Sequence, residues 1–174
     1  MRLFIAIGFN AETKNALLEM RNALRENSGG GSFTLPENLH LTLAFLGECS
    51  EQQAAAAKSV LDMTHFEPFG ALIERVGRFK RGAGEELWYA GLQGSKPLLD
   101  LQRGLCEKLI GAGFKLDTRK FNPHITLGRR VVAAAAPWKI EPIEETVHGI
   151  DLMKSERING KMSYTVIYSR GSIA

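Results

Sequence analysis

The stretch NLHLTLAFLG at residues 38–47 contains the pattern His-x-Thr-Leu, and the stretch FNPHITLGR at residues 121–129 repeats it. In both, aliphatic residues alternate with the histidine and the threonine, and a glycine follows, which is typical of β-strands. Side chains two residues apart share one face of a strand, so each copy presents an imidazole beside a hydroxyl and turns its aliphatic residues toward a core. The candidate residues are His40, Thr42, His124 and Thr126.

The repetition of this pattern is not expected by chance. The chain has four histidines among 174 residues, and two of them would fall in the pattern by accident about once in five thousand such chains. A single histidine on a strand is more often a hydrogen-bonded structural residue. The second copy favours a functional pair, whereas His65 and His148, which lack a threonine two residues later, are predicted to be structural or exposed.

Length and composition indicate one globular domain over residues 1–174. The chain is 44% hydrophobic and 24% charged, and its net charge of +3 is compatible with a phosphate-bearing ligand. The two motif copies lie 84 residues apart without a linker between them. We therefore expect two lobes of one domain, with the histidines meeting in the cleft between them.

Membrane and secretory signals are not recognisable in the sequence. The apolar run at residues 3–7 is too short for a signal peptide, and no apolar run approaches the length of a membrane span. Cys49 and Cys106 are isolated, which predicts reduced thiols in the cytoplasm and no structural zinc site.

Periodicity and turn signals predict the order strand, helix, His-strand, helix, hairpin, helix, His-strand, hairpin. The helices are expected to begin after Asn10, Ser50 and Ser95. Residues 69–79 and 86–92 are predicted to pair through a turn at residues 81–84. The last two strands are predicted at residues 145–155 and 162–170, joined around Asn159-Gly160.

Two imidazoles can act as an acid and a base near neutral pH, because their ordinary pKa is about 6.5. The hydroxyls of the two threonines, together with Arg129, can bind an anion between them. Arg129 is five residues beyond His124, so it reaches the same face only if a twist or bulge at Gly128 turns it inward. These groups suit displacement at a phosphodiester, in which one imidazole deprotonates the nucleophile and the other protonates the leaving oxygen.

Other chemistries fit the sequence less well. Zinc catalysis needs three ligands, and no carboxylate lies in either four-residue motif. A covalent serine mechanism has no G-x-S-x-G elbow here. We therefore expect an enzyme that uses neither a metal nor a cofactor.

The doubled motif resembles the 2H phosphoesterase superfamily, and the flanking sequence resembles its RNA 2′,3′-cyclic phosphodiesterases, also called 2′-5′ RNA ligase-like proteins. The resemblance covers nearly the whole chain, including residues 3–7, 36–47, 87–88 and 123–129. It implies a bilobal α+β fold in which two antiparallel sheets line a central cleft and the helices lie outside. It also implies hydrolysis of a terminal 2′,3′-cyclic phosphate to a 2′-phosphate, at RNA 3′ ends or on small cyclic nucleotides.

The resemblance also assigns roles that the sequence alone leaves symmetric. His40 corresponds to the proton donor to the leaving 3′-oxygen and His124 to the residue that activates water. Thr42, Thr126 and Arg129 correspond to residues that contact the phosphate. We expect a monomer that is not bound to membranes.

Two departures from the family pattern concern RNA binding. The nearest aromatic residue before the first motif is Phe33, where a tryptophan is common, and the turn at residues 80–85 lacks the usual proline. The alternatives are a 2′-5′ phosphodiesterase, a reversible 2′-5′ RNA ligase that does not use ATP, and a nucleotide- or RNA-binding module without turnover.

Overall fold

Nine strands and three α-helices make up the part of the chain that our computed structural model describes, residues 1–81, 85–133 and 135–173. A short 3-10 turn, Pro36–Asn38, precedes the first motif. The helices are α1 (Ala11–Glu26), α2 (Glu51–Asp62) and α3 (Lys96–Gly111). The strands are β1 (Arg2–Ile7), β2 (Ser32–Phe33), β3 (Leu41–Glu48), β4 (Phe69–Arg81), β5 (Glu85–Leu92), β6 (His124–Val131), β7 (Trp138–Val147), β8 (Gly149–Ile158) and β9 (Lys161–Gly171). None of the helices within these ranges is long and apolar enough to cross a membrane.

The helices begin where the sequence predicts. The side chain of Asn10 accepts a hydrogen bond from the backbone N–H of Thr13 at 2.9 Å, which satisfies one of the free donors of the first turn. Ser50 and Gln53 form a capping box at the start of α2. Helix α3 follows Ser95, with a proline in its first turn but no hydrogen bond from the serine side chain.

The sheet is antiparallel at every described pairing and consists of two similar halves. The strand order is β7-β4-β5-β6-β3-β1-β8-β9, and β2 adds to β6. The halves meet between β3 and β6, where Leu41 pairs with Ile125. The predicted α+β class is confirmed, and the two predicted sheets are the two halves of one sheet that is joined only narrowly.

One face of the sheet is covered by the helices. Leu41, Leu43, Ile125 and Leu127 are almost completely buried and belong to the same core cluster as leucines of α1, α2 and α3. The prediction that the aliphatic residues of the two motif strands face the core is therefore confirmed. The opposite face carries the histidine and threonine of each motif, and we call it the histidine face.

The prediction for the last strands is partly wrong. Residues 145–155 do not form one strand, because the chain leaves the sheet at His148 and the preceding segment pairs with β4 as β7. Strand β7 begins at Trp138 and contains Pro142, which a strand tolerates at the edge of a sheet because one side needs no hydrogen bonds.

The two predicted hairpin turns have different outcomes. The turn at Asn159-Gly160 is confirmed, and both residues have the positive φ angles, 53° and 78°, that such a turn requires. The predicted turn at residues 81–84 falls largely outside the described residues, which exclude 82–84.

Candidate active site

The two histidines lie at the junction of the two halves of the sheet. Leu41 pairs with Ile125 in an antiparallel register, so His40 lies opposite Thr126, and Thr42 lies opposite His124. His40 and His124 are therefore diagonal neighbours on one face, a relationship that separates Cβ atoms by about 7–8 Å. The tertiary structure brings the two motif copies together around one space.

The backbone holds both imidazoles in the same way. Nδ1 of His40 donates to the carbonyl of Asn38 at 2.7 Å, and Nδ1 of His124 donates to the carbonyl of Asn122 at 2.7 Å. Because a carbonyl can only accept, the hydrogen of a neutral ring resides on Nδ1, and the lone pair of the ring resides on Nε2. In neutral His40, that Nε2 accepts from the hydroxyl of Thr42 at 2.9 Å.

Aromatic side chains surround each imidazole. The ring of His40 lies 4.8 Å from Phe4 and 5.1 Å from Tyr164. The ring of His124 lies 5.2 Å from Phe79 and 5.5 Å from Tyr89. These contacts exclude water from one side of each imidazole and limit its rotation.

Burial lowers the pKa of His40 from 6.5 to about 4. The hydrogen bond to the carbonyl of Asn38 opposes this shift, whereas the positive charges of Arg129 and His124 add to it. Both charge effects require that Arg129 and His124 lie near His40, since such interactions weaken with distance. At pH 7 the imidazole of His40 is therefore neutral in the free protein.

We expect this lowered pKa to make folding sensitive to acid. The unfolded chain binds a proton at residue 40 near pH 6.5, whereas the folded protein binds it only near pH 4. Acidification through this window therefore favours unfolding, and stability present above pH 6.5 is lost as the pH falls to 4. The shift corresponds to about 3 kcal/mol. His40→Gln removes this contribution.

Urea unfolding at pH 7 and at pH 4 measures the effect. Wild type is expected to lose about 3 kcal/mol more than His40→Gln between the two pH values. His65→Gln is the control, because it makes the same histidine-to-glutamine substitution at an exposed position. Equal losses in wild type and His40→Gln would contradict the burial of a neutral His40.

A β-bulge turns Arg129 toward the histidines. Tyr89 pairs with Thr126 and the next residue back, Trp88, pairs with Gly128, so β6 has one extra residue at this point. Gly128 faces the core, where a Cβ would lie 2.8 Å from a methyl of Val131. Arg129, five residues beyond His124, consequently faces the same side of the sheet as His124. In a strand without a bulge it would face the opposite side.

Phe33 is the aromatic residue that precedes the first motif, and it lies beside this bulge. It pairs with Gly128, and its ring lies 3.1 Å from the position that a Cβ on Gly128 would take. It packs against the core and supports the bulge from the side opposite the histidines.

Sequence reasoning missed Tyr164 and Arg75. Tyr164 lies on β9, and only the fold brings it to His40. The side chain of Arg75 lies across Gly91, where a Cβ would come within 2.7 Å of the guanidinium carbon, and Gly91 pairs with His124. The single local signal was Gly91 in the interior of a predicted strand, which often marks close approach of another group.

Several other polar and aromatic side chains have structural partners. Trp88 is fully buried and packs against Trp138, so it belongs to the core, while Arg78 pairs with Glu86 at 3.4 Å. His65 contacts the Arg170 guanidinium at 2.9 Å. Across residues 1–81, 85–133 and 135–173, no three His, Cys, Asp or Glu side chains are grouped as metal ligands would be.

Comparisons with known proteins place the chain in a family. The 2′-5′ RNA ligase superfamily model matches residues 22–159. An RNA 2′,3′-cyclic phosphodiesterase of Thermotoga maritima is 35% identical over 131 residues, 74% of this chain and 70% of the relative. One of Thermus thermophilus is 32% identical over 179 residues, 96% of this chain and 88% of the relative.

A solved structure supports the same relationship. E. coli LigT complexed with 3′-AMP has a TM-score of 0.87 and 26% identity, and the match covers 99% of this chain and 98% of that one. The similarity thus extends over both halves of the sheet and the helices that cover it. From its sequence and its fold alike, the chain belongs to the 2′-5′ RNA ligase superfamily.

Proposed function

We propose that this protein hydrolyses the 2′,3′-cyclic phosphate at RNA 3′ ends, or on small nucleotides, to a 2′-phosphate. The observation that carries the proposal is the matched pair of imidazoles, each oriented through Nδ1 by a carbonyl two residues earlier. The Nε2 atom of each ring is then the one that takes up or releases a proton, and Arg129 supplies positive charge near His40. The relatives that bear the name RNA 2′,3′-cyclic phosphodiesterase support the same reaction.

The reaction divides between the two sides of the phosphorus atom. Nε2 of His124 takes a proton from water, whose oxygen forms the new bond to phosphorus. The bond to the 3′-oxygen breaks on the opposite side, and that oxygen takes the proton from Nε2 of His40. Thr42, Thr126 and Arg129 hold the non-bridging oxygens and stabilise the charge that develops on them.

Substrate binding allows His40 to take up from the solvent the proton that it later donates. The neutral imidazole of the free protein cannot donate from Nε2, because its pKa is about 4. A bound phosphodiester anion offsets the positive charge of Arg129 and raises the pKa of His40, since an opposite charge nearby favours the protonated ring. The Thr42 hydroxyl can then accept from Nε2–H instead of donating to it.

The proposed enzyme is a cytoplasmic monomer with one catalytic domain. A single chain supplies both imidazoles, both threonines and the arginine of the proposed site, so catalysis requires no second copy. Cys49 and Cys106 are free thiols, which suits a reducing compartment.

Hydrolysis of a 2′,3′-cyclic nucleotide in the presence of EDTA tests this function. We expect turnover that EDTA does not inhibit, because both proton transfers use imidazoles, and phosphorus NMR should identify the product as the 2′-phosphate. A 3′-phosphate product would contradict the assignment of His40 to the 3′-oxygen. Loss of turnover on chelation, restored by a divalent cation, would contradict the reaction proposed here.

The alternatives are separated by parallel assays. A 2′-5′-linked dinucleotide tests for a linkage-specific phosphodiesterase. A cyclic phosphate end with a 5′-hydroxyl RNA tests for ATP-independent ligation. Binding of a cyclic nucleotide without turnover would favour the silent binding module and contradict the proposed reaction.

A further inference from the structure

A cavity of about 500 Å³ opens beside His40 on the histidine face. It lies over β1, β8 and β9, and its lining includes two small residues, Ala6 of β1 and Gly8, which follows the end of β1. A Cβ on Gly8 would meet one atom within 4 Å, Oδ2 of Asp151 at 3.9 Å. The space is open here because Ala6 and Gly8 contribute almost no side-chain volume, and the Asp151 carboxylate borders it.

The lining of the cavity combines an apolar wall with polar groups. Met153, Tyr164 and Val166 contribute the wall, and half of the Val166 surface is exposed. Ser169 donates to Oδ1 of Asp151 at 2.6 Å, which orients the carboxylate and leaves Oδ2 at the gap above Gly8. An apolar slot with a few oriented polar groups is typical of sites that bind small organic ligands.

Lys14 gives the cavity a hydrogen-bond donor in addition to this acceptor. The carboxylate of Glu145, also in the lining, accepts from the backbone N–H of Asn10 at 3.0 Å. Asp151 and Lys14 therefore provide an acceptor and a donor to a bound ligand, since an ionised carboxylate only accepts and an ammonium only donates.

The reaction geometry directs the nucleoside toward this cavity. The leaving 3′-oxygen lies beside His40, so the ribose that carries it lies on the His40 side. Phe4 contacts His40, Ala6 is two residues further along β1, and Ala6 pairs with Asp151. Strand spacings place Asp151 about 8 Å from the Phe4 position, a distance comparable to that from a ribose to the outer edge of its base.

We propose that this cavity binds the base of the terminal nucleotide and that Asp151 selects guanine. On its Watson–Crick edge, guanine presents two adjacent N–H donors to the carboxylate of Asp151 and a carbonyl oxygen to Lys14. On the same edge, adenine has an acceptor in place of the ring N–H donor and a donor in place of the carbonyl oxygen. Uracil would turn a carbonyl oxygen toward Asp151. The inference rests on the proposed function, because it takes the His40 side as the side of the ribose.

The test compares kcat/KM for the four 2′,3′-cyclic nucleoside monophosphates in wild type and Asp151→Asn. Wild type is expected to prefer the guanosine substrate over the uridine substrate by about ten- to hundredfold. Asp151→Asn should abolish that preference and leave the uridine substrate within about threefold. Glu156→Gln, on the same strand but paired with Lys154 at 3.4 Å, is the matched control and should keep the preference.

Gly8→Leu fills the cavity without backbone strain, because Gly8 is exposed and has an ordinary φ angle. It should raise KM for every cyclic nucleotide but not for glycerol 1,2-cyclic phosphate, which has no base. Equal kcat/KM for all four nucleotides in wild type would overturn the base site while leaving the proposed function intact.

Failure of the proposed function gives a different result. If no cyclic nucleotide is hydrolysed, calorimetric titration with guanosine 2′-monophosphate tests the cavity directly. Binding that Asp151→Asn abolishes would support the base site without the activity. Absence of binding to wild type would overturn the site.

Discussion

Alanine in place of His124 or His40 is expected to lower kcat for cyclic phosphate hydrolysis by about 10²–10⁴-fold, the usual loss when a general acid or base is removed. The two variants should lose similar amounts, because each proton transfer belongs to the same displacement at phosphorus. Rates measured with a cyclic nucleotide under saturating conditions test this. A double variant should lose little more than either single one, since residues that act as a unit are not additive.

His65→Ala is the matched control for this pair. It removes an imidazole that contacts Arg170 and should leave kcat within about twofold. Circular dichroism and urea unfolding establish that each alanine variant is folded. Turnover by a folded His40→Ala or His124→Ala variant at the wild-type rate would reject the paired acid and base.

Arg129→Ala is expected to reduce kcat/KM by about ten- to hundredfold, which is the loss of one hydrogen-bonded charge, about 1.5–3 kcal/mol. The physical reason is the bulge at Gly128, which directs this guanidinium to the histidine face. The same substitution should raise the pKa of His40, because the positive charge of Arg129 lowers it. Proton NMR of the imidazole resonances measures that shift in the free protein.

Arg130→Ala is the neighbouring control. Arg130 has the same side chain and a positive φ of 51°, and both arginine and alanine carry a Cβ, so the backbone cost is unchanged. We expect its kcat/KM to stay within about threefold of wild type. If Arg130→Ala were the more damaging variant, the bulge would not present Arg129 to the substrate.

The helices and the motif strands could be predicted from local signals. Asn10 and Ser50 cap their helices. The alternation of residues around His40 and His124 predicts that the neighbouring leucines and isoleucine are buried, and they are. Strand β7 could not be predicted in this way, because its apolar residues are interrupted by charges and Pro142. Only pairing with β4 at the edge of the sheet makes it a strand.

The candidate site was predictable only in part, for the same reason. Alternation with a period of two residues is a property of neighbours in sequence. It therefore predicts that His40 and Thr42 share one face of a strand, and that His124 and Thr126 do. Arg129 can face the histidines only if the strand is irregular at Gly128, and the pairing of Gly128 with Trp88 provides that irregularity. Tyr164 and Asp151 left no local pattern, since their neighbourhood depends on β8 and β9 lying beside β1.

By itself, the sequence determined that this chain carries two identical imidazole–hydroxyl pairs on strands, each with an aliphatic back, because side-chain direction along a strand is a local property of the backbone. Tertiary structure alone decided that the two pairs share one space, that burial and charge lower the pKa of His40, and that a cavity opens beside it. Those properties arise from the antiparallel register of strands distant in sequence, where packing and electrostatic interactions act through space.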